Sequence, residues 1–149
     1  MNWLVDTNVL LRMLHPRSLL RPKAVNAVRM IRKRNDPIFI SPQNEVEFWA
    51  VATRSHEANG LGMEQSRADR SLRRFERTLK FLPDSAEVHQ EWRKLVVSYA
   101  VKGRQVYDAR LVAVMLVHNI SQILTFNITD FKRYQEITAV HPDQISASS

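Results

Sequence analysis

The chain has no cysteine and only three glycines in 149 residues. The first absence excludes a disulfide scaffold and any thiolate-bound zinc or iron–sulfur centre. The second leaves no Gly-x-Gly-x-x-Gly and no P-loop, so a nucleotide cofactor would find no glycine-rich phosphate cradle. No stretch approaches the roughly 18 uninterrupted apolar residues of a membrane span. Asp6 would interrupt the apolar core of any secretory leader at the amino terminus, so the expected setting is the cytoplasm with no membrane partner. The five histidines, at 15, 56, 89, 118 and 141, never fall in a His-Glu-x-x-His pattern and read as structural or surface groups.

Hydrophobic residues make up 44% and charged residues 25%, an ordinary globular mixture. A chain of this length folds as one domain and buries roughly 68–70% of its unfolded surface without a metal or disulfide staple. The expected domain covers residues 1–142, followed by a polar tail over 143–149. Lys and Arg number 22 against 15 Asp and Glu, a net charge of +7 that favours a polyanionic partner.

Six prolines punctuate the elements. Met1 to Val5 is a short apolar strand, and Asp6-Thr7-Asn8 opens a short helix through Leu14. Pro22 fits the first turn of a second helix, which runs to Arg34. Pro37 to Ile40 reads as a buried strand, and Ser41-Pro42 caps a helix from Gln43 to Arg54. Helical spacing of Leu72, Phe75, Leu79 and Leu82 predicts a helix over 63–80, and Val88, Trp92, Leu95 and Tyr99 another over 86–101. Asp108 to His118 is a helix apolar on nearly all sides. Gln122 to Phe126 and Ile137 to Val140 complete the strands. Strands alternating with helices predict an α/β domain with a mostly parallel sheet covered on both faces.

Ligands of such sheets bind beyond the carboxyl ends of the strands. Three aspartates gather there: Asp6 after the first strand, Asp130 a turn beyond the 122–126 strand, and Asp108 at the start of the apolar helix. A fourth acid comes from Glu45 or Glu47, which lie about 200° apart around their helix and so do not share one pocket. Clustered carboxylates raise each other's pKa unless a cation neutralises them. Hard oxygen ligands suit Mg²⁺ or Mn²⁺, ions that work on phosphates and can activate water against a phosphodiester. With four acids set apart, 22 basic side chains face 11 acidic ones, the charge layout of a nuclease. In isolation, Asp6 and Asp108 would equally serve as helix caps and Asp130 as a turn former.

Four segments carry a resemblance to a known family. Trp3-Leu4-Val5-Asp6-Thr7-Asn8-Val9-Leu10-Leu11 resembles the opening of PIN domains. Ile40-Ser41-Pro42-Gln43-Asn44-Glu45-Val46-Glu47-Phe48 is similar to their second motif, in which the glutamate before an aromatic selects Glu47 over Glu45. Val106-Tyr107-Asp108-Ala109-Arg110-Leu111-Val112-Ala113 is similar to the third, and Leu124-Thr125-Phe126-Asn127-Ile128-Thr129-Asp130-Phe131 to the fourth. The resemblance implies a five-stranded parallel sheet in order 3-2-1-4-5 and a Mg²⁺- or Mn²⁺-dependent endoribonuclease acting on single-stranded RNA. Asp6, Glu47, Asp108 and Asp130 would be its catalytic and metal-binding acids, with Thr7, Asn8 and Asn127 orienting them. The short length resembles VapC-type toxins, which implies a homodimer and a cognate antitoxin partner.

Arg67, Arg70, Arg74 and Arg77 share a helix face, and Arg21, Lys23, Arg29, Arg32 and Lys33 add further positive charge. They read either as phosphate-capturing groups or as a solvated face. Arg12, Arg54 and Arg110 stand nearest the motifs and are the candidate contacts to RNA or to an acidic antitoxin segment. Two other functions fit the same residues: a non-catalytic PIN-type RNA- or protein-binding module, and an unrelated α/β phosphotransfer enzyme using Asp6 as nucleophile. Against the second, Asn8 stands where one such phosphatase family has its second aspartate.

Overall fold

A computed structural model describes residues 1–145. Five short strands form one parallel sheet: β1 (Trp3–Val5), β2 (Ile38–Ile40), β3 (Lys80–Phe81), β4 (Gln122–Leu124) and β5 (Thr138–Val140), in the order β3-β2-β1-β4-β5. The register sets Leu4 against Phe39 on one side and Ile123 on the other. Six α-helices connect the strands: α1 (Thr7–Met13), α2 (Arg21–Lys33), α3 (Pro42–Thr53), α4 (Gln65–Thr78), α5 (Ala86–Ser98) and α6 (Gln105–Val117).

The alternation of side chains along β1 divides the core. Trp3 and Val5 point into one cluster, with Val9 and Leu10 of α1, Ala27 and Ile31 of α2, Phe48 of α3 and Phe75 of α4. Leu4 points the other way, into a cluster built by Val88 and Leu95 of α5 and by Leu111 to Met115 of α6. Both faces are therefore covered, as a parallel sheet requires. This is why α6 is apolar all round: its residues from Leu111 to Met115 are all buried.

Scarcity of glycine is met by asparagine. Asn35 and Asn119 adopt left-handed φ angles of 60° and 57° just after α2 and α6, turning the chain back towards β2 and β4. Glycine itself is needed at Gly60, where a Cβ would lie 2.2 Å from the Arg54 carbonyl oxygen. That close turn brings the Gly62 N–H to the same oxygen at 2.8 Å and anchors the end of α3.

The helix expected over 63–80 ends at Thr78, and a fifth strand, absent from the residue-level reading, follows it. Leu79 already has extended backbone (φ −116°, ψ 169°), although its side chain keeps the three-and-four spacing and stays buried. The apolar period thus runs through the helix end, and a two-residue edge strand is too short to show a period of its own. The helix expected from Asp108 begins at Gln105. A 3₁₀ turn over Pro142–Gln144 spans the expected boundary between domain and tail, and Ile145 of the expected tail packs on the first core cluster; 146–149 lie outside the described residues.

Candidate active site

The connection from β3 to β4 crosses the sheet, so the order reverses between β1 and β4, where open α/β sheets form their binding crevice. Asp6 leaves β1 at that point, and its backbone N–H donates to the Leu124 carbonyl at 2.9 Å. A cleft of about 680 Å³ opens there, lined by Asp6, Glu47, Asp108 and Asp130 among others. Four separate segments thus bring the four predicted acids to one cleft.

Each acid is held differently. Asp6 occupies the N-cap position of α1 but makes no side-chain cap bond. Its carboxylate accepts instead from the Thr125 hydroxyl at 2.7 Å. Thr125 is itself buried and accepts from the Asn127 backbone N–H at 2.9 Å and from the Asn8 amide at 3.5 Å. Asn8 therefore acts on Asp6 through Thr125. Asn127 lines the cleft and contributes this backbone N–H.

Glu47 is held at both oxygens. The Thr7 hydroxyl donates to Oε1 at 2.8 Å and the Gln43 amide to Oε2 at 3.1 Å. The buried Asn44 amide donates in turn to Thr7 Oγ1 at 3.2 Å and to the Val5 carbonyl at 3.1 Å. These positions follow from how α3 begins: Ser41 and Asn44 form a reciprocal capping box that sets the first turn against β1. Glu45 lies outside the cleft, with one carboxylate oxygen buried and unpaired. Burial and the neighbouring Glu76 carboxyl on α4 push its pKa up. Of the two glutamates, Glu47 is the one that lines the cleft.

Electrostatics tie the four acids together. Burial chiefly pushes the Asp6 pKa up to about 6, and Glu47 and Asp130 add repulsion against the opposing Thr125 hydrogen bond. Asp108, in the first turn of α6, is pushed up to about 7 by desolvation and by the charges of Asp6, Asp130 and Glu47. Among the described residues none of the four makes an ion pair. Such a set of hard oxygens, repelling one another, fits a divalent cation. No three of the described acids converge into a ready-made metal cage.

The expected cationic contacts separate. Arg54 lines the cleft, and Arg104, which the sequence reading passed over, lines it too. Arg12 is exposed on the last turn of α1 and lies outside the cleft lining. Arg110 is engaged elsewhere: its guanidinium donates to the Gln43 side-chain Oε1 at 3.2 Å and to the Asp84 carboxylate at 3.2 Å. It thus braces the glutamine that holds Glu47.

This topology and this arrangement of acids can be set against known proteins. The PIN domain family model matches residues 3–137. The chain belongs to the PIN domain family. No curated protein sequence matches it significantly. Among solved structures, a chain of VapBC2 from Rickettsia felis, bound to a DNA fragment from their promoter, aligns with a TM-score of 0.71 at 18% identity, over 95% of this chain and 98% of its own. A toxin–antitoxin complex from Klebsiella pneumoniae gives 0.65 at 21% identity over 93% and 96%. Mycobacterium tuberculosis VapC20, a Sarcin-Ricin loop cleaving toxin, gives 0.62 at 15% identity over 81% and 86%. At these identities the likeness is one of PIN fold.

Besides Arg104, sequence reasoning missed Thr125, Gln43 and Asn44 of this PIN domain, although these three lie within the quoted motifs. A small polar residue at the end of a buried strand, as Thr125 is after β4, was the available signal.

Proposed function

We propose that this PIN domain is a divalent-metal-dependent endoribonuclease of the cytoplasm that cuts single-stranded RNA, and that it is the toxin of a type II toxin–antitoxin pair. The observation that carries the reading is the convergence of Asp6, Glu47, Asp108 and Asp130 on one cleft at the reversal of the sheet, with two of their pKa values raised by burial and mutual repulsion. In this reading those four carboxylates hold Mg²⁺ or Mn²⁺, which supplies charge neutralisation at the phosphate and lowers the pKa of water. Thr125 fixes the Asp6 carboxylate, and Thr7 and Gln43 fix that of Glu47, so neither must reorganise when substrate arrives. Arg54 and Arg104 supply positive charge for the flanking phosphates. In-line attack by water leaves a 3′-hydroxyl and a 5′-phosphate.

Incubation with total bacterial RNA, with Mg²⁺ or Mn²⁺ and with EDTA, tests the reaction. Discrete fragments from wild type, lost with EDTA and with Asp108→Asn, are expected; RNA left intact by folded wild-type protein in either metal overturns it. The toxin role is tested separately. Induced expression of wild type arrests bacterial growth and Asp6→Asn does not; unchanged growth with an active nuclease rejects that role.

A groove between α2 and α4 suits the antitoxin. Six exposed arginines line it (Arg21, Arg29, Arg32, Arg67, Arg70 and Arg74) over a floor that includes Val28, Phe75 and Leu79. Among the described residues none of the six makes an ion pair. An amphipathic helix with acidic flanks complements such a groove in both polarity and charge. The homodimer belongs to the same reading, and light scattering of the purified chain decides it by mass.

A further inference from the structure

Tyr107 combines three properties. It lines the acid cleft, it is 58% exposed, and it directly precedes Asp108. Its backbone is registered to the site, because the Gln43 amide that holds Glu47 also donates to the Tyr107 carbonyl at 2.7 Å. Its side chain has no comparable duty: among the described residues its ring makes no aromatic contact. Among the described residues it also belongs to neither core cluster, on a helix whose other apolar residues are mostly buried. Arg54 and Arg104 line the same cleft.

Single-stranded RNA offers unstacked bases, and an aromatic ring beside a phosphate-binding cation is the general means of holding them. We propose that Tyr107 is a stacking platform for a nucleobase next to the cut phosphate, with Arg54 and Arg104 holding the backbone on either side. This rests on the ribonuclease reading. Stacking accepts any base face, so Tyr107 supplies affinity for unpaired nucleotides without fixing their sequence. A duplex, whose bases stay stacked on one another, gains nothing from it.

The test uses the full chain with Asp6→Asn, which the ribonuclease reading makes silent in cleavage, and measures binding of hexauridylate, hexaadenylate and a ribose-phosphate hexamer lacking bases. The Asp6→Asn protein should bind the two base-bearing hexamers about 5- to 100-fold more tightly than the abasic one. Adding Tyr107→Ala should remove most of that preference and leave abasic affinity and its salt dependence unchanged. Tyr107→Phe, which keeps the ring, should retain the preference. A preference that survives Tyr107→Ala overturns the stacking role while the ribonuclease reading stands. If the Asp6→Asn protein binds none of the three hexamers, the ribonuclease reading falls and takes the stacking role with it.

Discussion

Asp6 shows what a single buried carboxylate costs this protein. It is only 8% exposed, has one side-chain hydroxyl donor and faces the three other acids of the cleft, so its pKa rises to about 6. A raised carboxylate pKa means that the folded state holds the proton more tightly than the unfolded chain does. Stability from this group is then present at low pH and falls as pH rises from about 4 through about 6. Asp6→Asn should therefore stabilise the metal-free protein by about 1–3 kcal/mol at pH 8 and by far less at pH 4. Thermal melts at the two pH values check this, and an equal gain at both would mean that charge is not the cause. Mg²⁺ should raise the wild-type melting temperature at pH 8 and do less for the variant, since the cation relieves the same repulsion. Thr125→Val removes the one hydroxyl donor of Asp6. It should shift the acid limb of the pH–activity profile upward, because that hydrogen bond holds the Asp6 pKa down.

On α3, a difference of two positions decides the role of a glutamate. Glu47 faces β1 and the cleft, whereas Glu45 turns to Glu76 on α4. Glu47→Gln should lower cleavage at least a hundredfold, and Glu45→Gln should leave it within about threefold, because neutralising Glu45 touches no cleft residue. The same Glu45→Gln protein should melt higher than wild type at neutral pH, where two facing carboxylates repel, and lose that advantage in acid. Loss of activity in Glu45→Gln would reverse the assignment. The helical period around α3 showed that both glutamates could not share a pocket, and the motif before Phe48 indicated which one faced inward. The α/β alternation was legible because a sheet covered on both faces leaves buried strands such as Ile38–Ile40 between amphipathic helices, whereas the strand order came only with the resemblance to PIN domains. What escaped was local. β3 hides behind Leu79 and Leu82, whose spacing continues that of α4. The Thr125 and Gln43 contacts join residues 119 and 4 positions from their acids, and only the first depends on the tertiary fold to bring its partners together.

Across the whole molecule the charges are sorted. Four acids are gathered at one end of the sheet, while exposed arginines rim the cleft and the α2–α4 groove. Counterions released from single-stranded RNA give a binding constant whose logarithm falls with that of salt by about 0.7 per phosphate contact. Two to five contacts would weaken RNA binding by about tenfold to a hundredfold between 50 and 200 mM salt. The two basic surfaces should contribute differently. Arg54 shares its cleft with the acids, so Arg54→Ala should lower the slope by about 0.7 in the cleavage-silent Asp6→Asn background. The groove instead has an apolar floor of Val28, Phe75 and Leu79, which a phosphate backbone cannot use and the buried face of a protein helix can. Replacing Arg67, Arg70 and Arg74 together by alanine should accordingly leave the slope for a short oligonucleotide unchanged. A fall of about 2 in that slope would show the three arginines on the RNA path and remove the reason for assigning the groove to a protein partner.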